Sequence, residues 1–268
     1  MAACEPMIQS HSIRDRLVSS PVYFPHLPLE PALRACSDLG FTKFEGFTEW
    51  AASKMDWRGD PAKPRRLAES MGLRFSSFHL PTAKSGSDSE LGDLMVAARF
   101  GAGLGAKVVL FKAASREIFA SLGPRFLDAL TAADLGVVPV LQNHRGGPIQ
   151  SLDDFRAVLH SLNHDPRMKT LLEVGQFHRA GVEWRKGWEW MGSRIALIHV
   201  NDILGGNSVL YGTGEVDLRG LMRQVRTSGY EGDIVVELEL PSREVDSNET
   251  LQGVRLAVEH LEANYRDA

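Results

Sequence analysis

Arg194-Ile-Ala-Leu-Ile-His-Val-Asn201 is a short apolar run, rich in branched residues, that ends on polar side chains. A run of this length and composition reads as a buried strand. Segments of the same kind recur in both directions. Upstream lie Met7–Ser12, Lys43–Gly46, Arg74–His79, Lys107–Lys112, Val137–Asn143 and Thr170–Gly175; downstream lies Asp233–Glu239. The eight starts are separated by 36, 31, 33, 30, 33, 24 and 39 residues. The stretches between them read as helices. Pro31–Leu39 runs up to Gly40, a suitable C-terminal stop, and Asp153–Leu159 carries acidic residues in its first turn, as the helix dipole favours. Leu218–Val225 and Leu251–Leu261 space their apolar residues three and four apart.

Strand–helix alternation at this period predicts parallel pairing, because each crossover between parallel neighbours needs a dozen or more residues. A (β/α)8 barrel of about 250 residues would use nearly all of a 268-residue chain. The alternative, an open doubly wound sheet, usually carries a glycine-rich fingerprint after its first strand, and Met7-Ile-Gln-Ser-His-Ser12 has none. No proline- or glycine-rich linker divides the chain, so residues 1–268 are expected to form one domain. The 43% hydrophobic and 24% charged composition is that of an ordinary globular protein, which excludes disordered and fibrous classes. Two cysteines, Cys4 and Cys36, cannot make a disulfide framework or a four-ligand zinc site, which suggests a reducing cytoplasm. A net charge of −4 gives no footprint for nucleic acid or an anionic membrane, and no apolar window approaches a spanning helix. Lys63-Pro-Arg-Arg66 is the only compact basic run, and a solvated helix start accounts for it.

In such a barrel the chemistry collects at the C-terminal ends of the strands. Those ends carry Glu45, His79, Lys112, Gln142-Asn-His144, Glu173 with Gln176 and His178, His199 with Asn201 and Asp202, and Glu237. A hard divalent cation wants oxygen and imidazole donors converging from different elements, which Glu, His and Glu from separate strands would supply. Each of these residues alone would read as a solvated or hydrogen-bonded loop side chain. Their coincidence on neighbouring strands points to a site.

At these residues a resemblance becomes specific. Val140-Leu-Gln-Asn-His-Arg-Gly-Gly147, Ile198-His-Val-Asn-Asp202, Gly212-Thr-Gly-Glu-Val-Asp217 and Gly229 to Glu239 resemble the xylose isomerase-like TIM barrel family. That family includes sugar isomerases and epimerases, inosose dehydratases and 3-dehydroshikimate dehydratases. The resemblance covers roughly residues 7 to 262, with its sharp motifs in the second half. It implies one divalent metal ion, Mn2+ first with Mg2+, Co2+ or Zn2+ as alternatives, held by Gln142, Glu173, His199 and Glu237. It implies Glu237 as the catalytic base, with His144 and His79 as further catalytic candidates. Glu45, Lys112, Gln176 and His178 are implied at the substrate. The partner would be a small sugar or keto-sugar, and family members often form dimers or tetramers.

Two departures from the family pattern bear on the reaction. Where the family has Glu-Asn-His, this chain has Gln142-Asn-His144; a glutamine oxygen can ligate a cation but cannot take a proton. Loss of one of two opposed bases disables a symmetric epimerisation unless His144, His79 or Lys112 substitutes. Glu173 stands where the family has Asp, and Gln176 where it often has a substrate-binding His. Other features have plainer readings. Lys112 reads first as a surface lysine lying along apolar groups and second as a substrate or general-acid lysine, and His79 and Glu45 could equally serve packing or ion pairing. Gly212-Thr-Gly214 is a turn before it is a phosphate loop, and Trp184, Trp188 and Trp190 read as core or subunit packing.

The expected function is a metal-dependent sugar isomerase or epimerase that abstracts a proton next to a carbonyl. A lyase on the same scaffold, a dehydratase or an enzyme cleaving keto-glycosides or C-glycosides, needs only one base, and Gln142 favours it. A non-catalytic accessory subunit is the third reading. The DNA-repair endonucleases that share the barrel need three zinc ions and more ligands than this chain offers.

Overall fold

The computed structural model describes residues 12–239 and 247–267. Eight parallel strands make the barrel: β1 Leu17–Val18, β2 Lys43–Gly46, β3 Arg74–His79, β4 Val108–Leu110, β5 Val138–Leu141, β6 Lys169–Glu173, β7 Ile195–Val200 and β10 Asp233–Val236. Their order is β1-β10-β7-β6-β5-β4-β3-β2. The seam between β1 and β2 is bridged where Ser19 N donates to Lys43 O at 3.0 Å and Glu45 N to Ser19 O at 2.9 Å. A short antiparallel hairpin, β8 Asp202–Leu204 and β9 Asn207–Val209, stands beyond β7.

Around the barrel run α1 Leu29–Asp38, α2 Ala62–Ser70, α3 Asp88–Leu104, α4 Arg116–Ala133, α5 Leu152–Ser161, α6 Val174–Arg179, α7 Trp184–Met191, α8 Leu218–Thr227 and α9 Ser247–Arg266. Sequence chemistry sets their ends. Ser87, Ser115 and Ser151 cap α3, α4 and α5 with their hydroxyls, and Asp154 returns the bond to Ser151 in a capping box. Gly105 ends α3 in a left-handed conformation, φ 94°. The three tryptophans do pack: Trp184 is buried, Trp188 meets Tyr230 edge-on and Trp190 lies against Phe155.

The strand expected over Met7–Ser12 lies outside the described residues except for Ser12, which caps a short 3-10 turn over Ile13–Arg16. The first barrel strand is instead Leu17–Val18. The remaining seven strands fall where the sequence placed them, β2 and β3 with the same bounds. Several end one to three residues earlier than read from sequence, and Val174 and Gly175 start α6 rather than finishing β6.

Period-two alternation stacks the barrel interior in layers. Lys43 and Asp233 pair at 2.5 Å at the N-terminal end of the strands, and Ser76 donates to the same carboxylate. Above them Val18, Leu110, Val140, Leu171, Leu197 and Val235 form a closed apolar layer, each essentially buried. Two residues further along the same strands come Ser20, Lys112, Gln142, Glu173, His199 and Glu237. The apolar layer is thus the floor on which the polar layer stands. No helix among the described residues is long and apolar enough to cross a membrane.

Candidate active site

His199 is the hub of the polar layer. Its Nδ1 lies 3.0 Å from Glu173 Oε2 and 3.0 Å from Glu237 Oε1, while its Nε2 lies 3.1 Å from Glu45 Oε1. All four side chains are buried. Burial pushes the imidazole towards neutrality, but Glu45, Glu237 and the bond to Glu173 outweigh it and raise its pKa well above the ordinary value. The Glu237 carboxyl is also pushed up, first by burial and then by the neighbouring Glu173 charge. Burial acts the same way on Glu45, yet the charges of His199 and His79 reverse it and hold that carboxyl well below the usual range.

Each of these groups is tied down by a partner. Glu45 Oε1 accepts from Ser77 Oγ at 2.8 Å, and Ser20 Oγ reaches Oε2 at 3.5 Å. Asn143 pairs with the backbone of Glu173 in both directions: its Nδ2 donates to the carbonyl at 3.2 Å and its Oδ1 accepts the N–H at 3.3 Å. Glu237 N donates to Val200 O at 2.8 Å and to the Tyr211 hydroxyl at 3.1 Å, and that hydroxyl in turn donates to Val200 O. The Glu45 carboxylate and the backbones that carry Glu173 and Glu237 are thereby fixed.

A cavity of about 520 Å³ opens over the cluster. Gln142, His144, Glu173, Gln176, Glu237, His79 and Lys112, all expected at the site, line it. Gln176 is held by Arg145 N at 3.1 Å, while His144 is exposed and engages only its own loop, Nδ1 to Arg145 O at 2.8 Å. Lys112 is turned into the cavity rather than along the surface. Its ammonium lies 3.4 Å from Glu49, and burial lowers its pKa. Three expected residues are outside the lining, Glu45 and His199 beneath it and His178 elsewhere. Glu45 has no exposed surface and lies beneath the cavity lining, against His199 and His79. His178 is outside the lining and pairs with Glu215 at 3.0 Å.

The Gly212-Thr-Gly214 turn wraps a carboxylate of its own chain. Gly212 N and Gly214 N donate to Asp202 Oδ2 at 2.8 and 2.9 Å, and Ile203 N and Val216 N donate to Oδ1 at 3.0 and 3.2 Å. A Cβ on Gly214 would collide with that carboxylate, so the glycine serves the turn.

Sequence reasoning missed Glu49, Glu239 and Trp50, which also line the cavity. Glu239 lies 3.7 Å from Arg179, and its carboxyl is raised by burial and by Glu173. It stands two residues past Glu237, so the same alternation that found Glu237 would have found it. Glu49 accepts from Thr82 Oγ1 at 2.8 Å in a loop with no periodic signal. Trp50 sits at φ 54°, a left-handed conformation that costs an L-residue roughly 1–2 kcal/mol.

The donor set suits a divalent cation. Ligand atoms of Glu173, His199 and Glu237 lie within 4.8 Å of one another, and so do those of Glu45, His79 and His199. Glu173 Oε1 is buried with no hydrogen-bond partner, a position that a cation would satisfy. Two carboxylates and one imidazole are the oxygen and nitrogen donors such ions take.

The sequence model described as xylose isomerase-like TIM barrel matches residues 33–264. The chain belongs to this family. No curated protein matches it significantly. Among solved structures, a xylose isomerase domain protein from Alicyclobacillus acidocaldarius has a TM-score of 0.73 at 20% identity, over 94% of this chain and 99% of that one. The IOLI protein with a bound zinc atom has a TM-score of 0.74 at 14% identity, over 93% and 99%. The 3-keto-D-glucoside 4-epimerase of E. coli has a TM-score of 0.73 at 14% identity, over 92% and 99%. At these identities the likeness carries the fold. Within the xylose isomerase-like family, that fold is shared with sugar epimerases and isomerases.

Proposed function

We propose that this chain, folded as one domain, is a divalent-metal-dependent enzyme that removes the proton next to the carbonyl of a sugar or keto-sugar. The observation that carries the reading is the convergence of Glu173 and Glu237, which line the 520 Å³ cavity, with the buried His199 beside them. These three residues would hold the ion, with Gln142 as a neutral fourth donor. Mn2+ fits the donor set first, with Mg2+, Co2+ and Zn2+ alternatives. When bound, the cation supplies a Lewis acid that makes the C–H beside a carbonyl acidic.

Glu237 is the base. It reaches the cavity from the end of β10, its backbone is fixed by Tyr211, and a cation beside it would keep it ionised at neutral pH. The electron pair of the broken C–H bond passes to the carbonyl oxygen. Return of the proton by Glu237 to the former carbonyl carbon, with the hydroxyl proton passing from the neighbouring oxygen to the former carbonyl oxygen, completes an isomerisation; a proton delivered to the original carbon from the opposite face, by His79, His144 or Lys112, completes an epimerisation.

One observation favours a lyase as the second reading. Gln142 lines the cavity where a two-base epimerase needs a carboxylate, while Lys112, its pKa lowered by burial, is placed to protonate a leaving group. There the electron pair released by Glu237 expels a β-substituent that takes the proton from Lys112. Both readings assign the base to Glu237, and both fit the cytoplasmic setting we infer from the cysteine content.

Incubation of the Mn2+-loaded protein with ketoses and keto-glycosides in D2O tests the proposal. Wild type should incorporate deuterium next to the carbonyl. Glu237→Gln should lose roughly the 100- to 10,000-fold that a general base contributes. A Glu237→Gln protein with near-normal exchange would place the base elsewhere.

A further inference from the structure

Of the large apolar residues exposed among the described residues, Trp50 alone lines the cavity, with 57% of its surface accessible. Its backbone is held at φ 54°, so the indole is presented there against the preference of an L-residue. The ring meets Phe47 edge-on, centroids 5.3 Å apart at 85°, and Phe47 stacks on His79 at 3.9 Å and 19°. His79 adjoins Glu45, which holds His199. A continuous aromatic wall therefore leads from the acidic cluster outward to Trp50. Beside it Glu49, pinned by Thr82 and Lys112, offers a carboxylate to hydroxyl groups.

The cavity is larger than one sugar needs. Even at the loose packing of liquid water, about 30 Å³ per heavy atom, the twelve heavy atoms of a hexose occupy at most about 360 Å³. The 520 Å³ available exceeds this by about 160 Å³, enough to begin a second ring that extends outward onto the exposed indole, and the lining also includes Phe119, Pro148 and Ile149. We propose that the substrate carries a second ring, glycosyl or aryl, on the reacting sugar, and that Trp50 is the platform on which this ring stacks. This rests on the sugar reading above and adds the specificity determinant to it.

Equilibrium binding to the Mn2+-loaded full chain tests it with two matched pairs: D-fructose against lactulose, and methyl against phenyl 3-keto-β-D-glucoside. The two-ring member of at least one pair should bind roughly two- to tenfold more tightly, the size of one aromatic stacking contact. The pair that shows the preference identifies the second ring as glycosyl or aryl. Trp50→Gly, which suits the left-handed backbone and should keep the melting temperature, should abolish the preference and leave the one-ring ligands unchanged; Trp50→Phe should keep part of it. Equal affinities within both pairs for wild type would overturn the proposal, as would a Trp50→Gly protein weakened alike for one and two rings. Failure of every sugar to bind would instead remove the sugar reading on which the proposal stands.

Discussion

Loading the cluster with Mn2+ at neutral pH should release between about one and two protons per chain, because the ion and protons compete for the same atoms. In the ion-free protein His199 Nδ1 is shared by Glu173 and Glu237 while Nε2 faces Glu45, and its raised pKa keeps the ring an imidazolium. A cation needs the Nδ1 lone pair, so that proton must leave. Part of a second comes from Glu237, whose pKa is raised by burial and by Glu173. Affinity should therefore fall roughly tenfold to a hundredfold per unit of acidification.

The same groups set the pH dependence of stability. A histidine raised above its unfolded value contributes stability that is fully present below about pH 6.5 and is lost as pH climbs through the folded value. The raised Glu237 adds to that loss, since its buried charge becomes unfavourable as pH rises above its unfolded value. The ion-free protein should thus weaken as pH rises, through Glu237 from about pH 4.3 and through His199 from about pH 6.5, while ion binding strengthens over the neutral range. A tenfold gain in affinity is about 1.4 kcal/mol, or roughly 3–6 °C of melting temperature per pH unit for a protein of this size. Calorimetry in two buffers of different ionisation enthalpy counts the protons, and melting with and without Mn2+ between about pH 6 and 8 measures the gap. No net proton release, or a gap that does not widen with pH, would refute the reasoning.

Two further substitutions examine the ligands and their support. Gln142→Glu places a third carboxylate at the cluster and should tighten Mn2+ binding in a competition titration, because more negative ligands raise affinity for a hard cation; unchanged affinity would put Gln142 away from the ion. Glu45→Gln removes the charge that accepts from His199 Nε2 and should weaken Mn2+ about 10- to 100-fold, the usual effect of losing a histidine's supporting carboxylate. A Glu45→Gln protein that folds and binds Mn2+ as wild type does would leave Glu45 with packing alone.

Much of this site was legible because one rule generates it. Side chains alternate along a strand, so Leu171 and Glu173, Leu197 and His199, and Val235 and Glu237 point into the same barrel interior. Hydropathy sees that alternation after the ladder has ended, which is why the sequence extends β4, β5 and β10 past Leu110, Leu141 and Val236. It did not see β1, since two residues are too few to show a period. Nor could it place Glu45. The register between β2 and β3 shifts at Phe44/Glu45, so Glu45 lies opposite Ser77 and drops onto His199. Trp50 and Glu49 sit in a loop, where position follows from local backbone and not from periodicity.

The polar layer is lopsided, and that asymmetry argues for one base rather than two. Glu173 and Glu237 crowd one imidazole nitrogen, and Glu237 is raised first by burial and then by the Glu173 charge. A third carboxylate at position 142 would add to that repulsion in a buried setting, where an unpaired charge is costly. The neutral Gln142 avoids it, at the loss of a proton acceptor on that wall. On the strand next to that of Gln142, and opposite that of Glu237 in the barrel order, stands Lys112, with its pKa lowered, and beside it Glu49, whose carboxyl is held down by Lys112 and Thr82 against the effect of burial. A lysine whose proton is loosened by burial, beside an ionised carboxylate, is placed to give that proton to a departing group. On the proposed reading, an acceptor at Glu237 and a donor at Lys112 on opposite strands suit β-elimination, and the neutral Gln142 is what distinguishes this site from one with two equivalent carboxylate bases.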